Sequence, residues 1–279
     1  MRLKKIIYGL LTISNIKKLG YFIPYRYASA LKVHNDPYPW IQDLFISHSK
    51  GNFLKTLELV APYIADLKKI KMHTSGSTGP RWGQDWFPGL DAAIAYGLVR
   101  AKKPKQVLEV GSGHSTRFVL KAIKDGALFS TVTCVDPAPR ATLKGLDLNL
   151  IKLPVQLVDP NLLPNLQKGD MLIIDSSHVA VSGSDVDWVI NRLIPTLPSG
   201  VFVHFHDIFL PDPYPKSWLW REYNEQVIVA ALVVGLRLEP IFSSYFTRNY
   251  APETLKQTKL DWIELLPGAI ESSLWLVTK

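Results

Sequence analysis

Val107-Leu-Glu-Val-Gly-Ser-Gly-His-Ser-Thr116 is the stretch on which the reading of this 279-residue chain turns. An apolar run carries Glu109, Gly111 and Gly113 follow, and a helix start comes next. Glycines in such a strand–turn–helix let the backbone approach a ligand closely, and the helix start presents free N–H groups. The turn therefore reads as a nucleotide-type cofactor site. The dinucleotide fingerprint would place a third glycine where Thr116 stands, and an acid two residues before the first glycine is no part of it.

Working outward, four more apolar or β-rich runs are predicted strands: Thr131–Asp136, Leu153–Asp159, Asp170–Asp175 and Gly200–Asp207. Each ends in an acid. Helical stretches separate them at Thr116–Lys124, Pro139–Leu148 and Ser184–Leu197. Apolar runs alternating with helices predict βαβ units and a parallel sheet buried on both faces. A long helix around Trp218–Leu236 and strands at Leu238–Phe246 and Ser272–Val277 complete the pattern.

The acid followed by G-x-G, a second strand ending in Asp136, and a tail of one helix and two late strands resemble the class I S-adenosylmethionine (SAM)-dependent methyltransferases over residues 82–279. That resemblance implies an α/β fold with a Rossmann-like, seven-stranded methyltransferase sheet. Its strands would be mostly parallel, with the last inserted antiparallel between strands five and six. SAM is the implied cofactor. Glu109 suits its amino group and sulfonium, and Gly111 and Gly113 permit its approach. Asp136 would accept from the ribose hydroxyls, and Asp159 would lie on the adenine side.

The ends of strands four and five, Asp175-Ser-Ser-His178 and His206-Asp207, should face each other. They resemble the small-molecule O-methyltransferases of the catechol and macrolide-sugar type, in which acids at these strand ends hold a divalent cation such as magnesium. Carried across, Asp175, His206 and Asp207 become metal ligands. His206 stands where an acid is usual and would suit a softer metal. The metal-free alternative makes His178 the general base, beside Asp175 and Asp207. The implied reaction moves a methyl group from SAM to a hydroxyl of a small molecule, with a sugar or lipid-linked glycan among the candidates. A nicotinamide-dependent oxidoreductase and a non-catalytic, membrane-associated SAM-binding protein are the alternatives.

Composition sets limits. A hydrophobic content of 47% supports a large core. No run of 18 apolar residues exists to span a membrane as a helix. The single cysteine, Cys134, lies inside a strand and reads as a core residue, with a reducing cytoplasm as the expected compartment. The net charge of +8 is concentrated before Asp36, where Arg2, Lys4, Lys5, Lys17, Lys18, Arg26 and Lys32 stand without an acid. The remainder is near neutral, which argues against a nucleic acid held along a basic groove.

Residues 1–35 thus form a basic segment, in which Leu3, Ile6, Ile7, Leu10, Leu11 and Ile13 share one face of a would-be helix. Residues 1–20 suit an anionic membrane at the inner face. Docking on the protein's own body, or on a second subunit in a homo-oligomer, is the other reading. Residues 36–81 read as a helical cap and linker, with a helix at Asn52–Met72 and a loop at Thr74–Pro80. Residues 82–279 read as the catalytic domain. His204 is expected in the core and His114 in shaping the turn. Phe209–Pro215 and Trp218–Gln226 are candidate walls for the acceptor.

Overall fold

Val107–Val110, Met171–Ile174 and Val203–Phe205 are buried, as central strands covered on both faces must be. The computed structural model describes residues 2–32, 34–74 and 78–279, so Ser75–Ser77 of the expected loop lie outside the described residues. The chain divides into two units, one reaching Asn35 and the other Asp36–Lys279. The first holds α1 (Arg2–Ile13) and a 3-10 turn at Ala28–Ala30.

The second unit carries helices α2 (Pro39–His48), α3 (Leu54–Val60), α4 (Ile64–Leu67), α5 (Gly89–Lys102), α6 (His114–Asp125), α7 (Asp185–Trp188), α8 (Glu225–Val234), α9 (Ser244–Tyr250) and α10 (Pro252–Thr258). Its strands are β1 (Gln106–Val110), β2 (Thr131–Val135), β3 (Asn149–Ile151), β4 (Met171–Ile174), β5 (Phe202–Phe205), β6 (Leu238–Ser243) and β7 (Leu274–Thr278). They form one seven-stranded sheet in the order β3-β2-β1-β4-β5-β7-β6. β1 to β5 run parallel, and β7 lies antiparallel between β5 and β6. This is the Rossmann-like architecture that the sequence implies, and not the continued parallel units of a dinucleotide fold.

Local boundaries differ from expectation for identifiable reasons. The third strand is Asn149–Ile151, not Leu153–Asp159; Pro154 precedes a 3-10 turn at Val155–Leu157, and Asp159 caps a second at Pro160–Leu162. Pro139–Leu148 forms turns instead of a helix. The predicted helix Trp218–Leu236 is broken at Glu222, which turns left-handed (φ +57) after a 3-10 stretch at Lys216–Arg221. β6 stops at Ser243, whose hydroxyl accepts from Phe246 N–H at 3.1 Å and so caps α9.

The helical segment after Asp36 is a layer of this same unit. Phe45 and Phe53 pack edge-on at 5.4 Å, and each meets Phe246, at 5.5 and 6.0 Å. Phe53 also meets Phe242 of β6 at 6.0 Å. A cavity of about 850 Å³ opens beyond the carboxyl ends of β1, β2, β4 and β5, where open α/β sheets bind ligands.

Candidate functional site

The chain leaves β1 through Gly111, at φ +91, where a Cβ would meet the Asp175 carbonyl oxygen at 2.0 Å. The crowding follows from sheet pairing, since Asp175 N–H donates to the Val110 carbonyl at 2.9 Å. Gly113 differs. It borders the cavity, and a Cβ there would meet nothing within 4 Å. Its N–H donates to Thr116 Oγ1 at 2.9 Å, and that hydroxyl donates to Glu109 Oε2 at 2.6 Å. Thr116 thereby ties the turn to the strand, a link that a fingerprint glycine could not make.

Glu109 is wholly buried beneath the turn and does not line the cavity. It accepts from Ser115 Oγ, from Thr116 Oγ1 and from Cys134 Sγ. Burial pushes its carboxyl up to about 7, against these hydrogen bonds. Its oxygens hold the first turn of α6. Asp136, half-buried at the end of β2, does line the cavity. Its carboxylate accepts from Ser112 Oγ at 2.6 Å and from Ala138 N–H at 2.8 Å. Asp159 is exposed, accepts from Asn161 and lies away from the cavity wall. The wall in that region is Pro154, Val155 and Gln156.

Asp175 follows β4, and His206-Asp207 follow β5. His178 and Asp207 both adopt left-handed backbone, φ +60 and +56, a conformation that is costly for such residues and concentrates at functional sites. His178 Nε2 lies 3.4 Å from Asp175 Oδ1 and 3.3 Å from Asp207 Oδ2, while its Nδ1 is 2.9 Å from Glu225 Oε2. His206 Nδ1 lies 3.3 Å from Asp207 Oδ1 and 3.6 Å from Asp175 Oδ1, with Nε2 3.3 Å from Asp91 Oδ2. Each imidazole therefore has carboxylates at both ring nitrogens. Burial works against either imidazolium, yet the carboxylates outweigh it. Asp207, Asp175 and Glu225 hold His178 well above its ordinary pKa, and Asp207, Asp175 and Asp91 do the same for His206. Asp175 is held well below the carboxylate range: burial opposes this, but the two histidines prevail.

Sequence reasoning missed Glu225 and Asp91. Glu225 opens α8 and is fully buried. Its neighbour Asn224 ties the α8 start to the His178 loop, donating its N–H to the His178 carbonyl at 3.0 Å and accepting from Ala180 N–H at 2.6 Å. Asp91 is a lone acid in the first turn of α5, whose residues Gly89–Val99 are otherwise apolar or glycine apart from Tyr96. That isolation was a usable signal. It accepts from Ser244 Oγ, from Ser273 N–H at 2.9 Å and from Ser272 N–H at 3.0 Å. His204 stays in the core, bonded to Ser273 Oγ at 2.8 Å, with burial taking its pKa down to about 3.

A metal ion does not fit the groups as they stand. Among the described residues, no three His, Cys, Asp or Glu side chains are grouped to hold one. The expected ligands Asp175, His206 and Asp207 are instead paired with one another.

Hydrogen-bonding capacity is left over elsewhere in the same cavity. His114 Nδ1, Arg117 Nε, Gln156 Oε1, Ser176 Oγ and Arg221 Nε are buried without protein partners, and all five residues line it. Arg117 stands out because a cation in the first turn of a helix opposes the macrodipole. It is buried, and burial and then Arg81 lower its pKa. His114 beside it is pushed down to about 4 by burial, Arg81 and Arg117. This end of the cavity suits an anion. Trp218, Arg221 and Tyr223 line the other end, with the Tyr223 ring 4.7 Å from that of His178.

Residues 108–208 match a family model described as a methyltransferase domain. None of the curated proteins matches the sequence. Among solved structures, the chain is similar to the Podospora anserina methyltransferase PaMTH1 bound to S-adenosylhomocysteine (SAH), at 14% identity and a TM-score of 0.37, over 94% of this chain and 100% of that one. It is also similar to an O-methyltransferase from Bacillus cereus in complex with SAH, at 10% identity and a TM-score of 0.44, over 81% of this chain and 91% of that one.

Proposed function

We propose that this chain, whose residues 108–208 match a methyltransferase-domain family model, is a class I SAM-dependent methyltransferase that methylates a hydroxyl of a small acceptor. The observation that carries the reading is the histidine–carboxylate cluster in the same cavity as the glycine turn.

The leftover polar groups fit SAM. Gln156 and Ser176 would meet the adenine end and Asp136 the ribose, with Gly111 and Gly113 allowing close approach. Arg117, backed by Arg81, would take the α-carboxylate. When bound, SAM supplies a methyl group already activated on a sulfonium. The chain's own residues then have to align the acceptor and remove its proton. His178 in its neutral form accepts that proton at Nε2. Glu225 accepts from Nδ1–H and fixes the tautomer, and Asp175 and Asp207 stabilise the imidazolium that forms. Four carboxylates around two imidazoles also make the site hospitable to a cationic donor. Trp218 and Tyr223 offer flat faces against which a sugar or aromatic ring would pack.

The test is turnover of methyl-labelled SAM with a panel of sugars, glycosides and catechols. A methyl ether is the expected product, and transfer to nitrogen or carbon would overturn the hydroxyl reading. Exhaustive chelation should leave turnover unchanged. Loss of activity that magnesium or manganese restores would reinstate Asp175, His206 and Asp207 as metal ligands.

Binding alone separates the two acids near the turn. Glu109→Gln keeps an acceptor for the α6 hydroxyls and should hold SAH affinity within about threefold, whereas Asp136→Ala should weaken it about tenfold or more. Calorimetry reads both, and the reverse order would put Glu109 on the ligand.

A further inference from the structure

We propose that the unit ending at Asn35 docks the protein on an anionic lipid surface. Its helix α1 turns Leu3, Ile6, Leu10 and Ile13 to one face, and these are 70, 56, 63 and 65% exposed. Exposed apolar side chains continue past the helix at Ile16, Phe22, Ile23 and Leu31. Single exposed apolar residues are ordinary on a protein surface, but a run of this length within one short segment is not.

The charges say what covers it. This segment contains no acid, and three of its cations lie over tyrosine rings. Lys4 Nζ lies 5.9 Å from the Tyr8 ring, Lys18 Nζ 5.2 Å from Tyr21, and the Arg26 guanidinium 5.6 Å from Tyr27. Bases and tyrosines around an apolar face match the headgroup level of a bilayer, where amphipathic rings and snorkelling cations settle. A second copy of the chain would bring the same unbalanced positive charge against the first, which disfavours self-association through this face. The twelve residues of α1 reach about 18 Å, well short of a hydrocarbon core, so the helix would lie on the surface and not cross it. Among the described residues, no helix is long and apolar enough to span a membrane.

The experiment uses the full chain and sedimentation with two kinds of vesicle, pure phosphatidylcholine and phosphatidylcholine with about one-third phosphatidylglycerol. The protein should partition at least about tenfold better onto the anionic vesicles and be released by high salt. Ile6→Asp/Leu10→Asp should lose that binding with an unchanged melting temperature. Lys4→Gln/Lys5→Gln should weaken it and flatten its salt dependence. Equal partition onto both vesicles would overturn the proposal, as would full binding by Ile6→Asp/Leu10→Asp. A dimer broken by Ile6→Asp/Leu10→Asp, with no vesicle binding by the native chain, would assign the face to self-association instead.

Discussion

Gly113→Val should weaken SAH binding severely while the protein folds normally. A Cβ at Gly113 meets nothing within 4 Å. The added methyl groups would therefore stand in the cavity mouth and not in the protein. Excluding the ligand from the turn should weaken binding on the order of 100-fold, about 2.7 kcal/mol. Gly111→Ala is the contrasting case. Its Cβ would sit 2.0 Å from the Asp175 carbonyl oxygen at a φ of +91°, so β1 and β4 would have to part. That variant should lose thermal stability as well as affinity. Calorimetry beside thermal melting distinguishes the two, and a Gly113→Val protein with native SAH affinity would remove the turn from the ligand site.

The two glycines also show what a sequence can and cannot disclose. The G-x-G pattern located the turn but not which glycine is required by the fold and which leaves room for a ligand. That division depends on β4 pressing against Gly111, a contact between residues far apart in sequence. The sheet was legible because its central strands are apolar on both faces and bounded by turns. β3 was misplaced because Leu153–Asp159 has the composition of a strand, while Pro154 and the Asp159 cap commit it to 3-10 turns. The acids after β2, β4 and β5 were placed by simple strand-end reasoning. The hydroxyls that Glu109 accepts from could not be read from its strand, because its alternation with apolar residues is the same whether a carboxylate faces a ligand or the next helix. Glu225 left no local signal at all, since only tertiary packing brings α8 to the His178 loop. Arg117 did leave one, as a base in a helix's first turn, and its meaning becomes plain only beside Arg81 and the orphaned Nε.

His178→Ala should lower kcat by about 10²–10⁴-fold with SAH affinity unchanged, the range for loss of a positioned base. The pH dependence carries the sharper test. Only neutral His178 accepts a proton, and the facing carboxylates of Asp207, Asp175 and Glu225 hold its pKa well above the ordinary 6.5. The native rate should therefore climb on the alkaline side of that value. Glu225→Gln removes one of those charges and leaves an acceptor for Nδ1–H, so the rising limb should move to lower pH even as the maximum rate falls. A purely structural Glu225 would lower the rate equally at every pH, and an unmoved limb would take proton transfer away from His178. Stability runs the opposite way. A histidine whose pKa is raised by folding contributes stability that is complete below its unfolded value and disappears as pH climbs through the folded one. His206 is raised for the same reason and adds to the effect. Melting temperature should thus decline over the alkaline interval in which turnover rises, and Glu225→Gln should begin that decline at lower pH. Each step toward a working base then removes a cation from among four carboxylates, so rate and stability compete for the same proton.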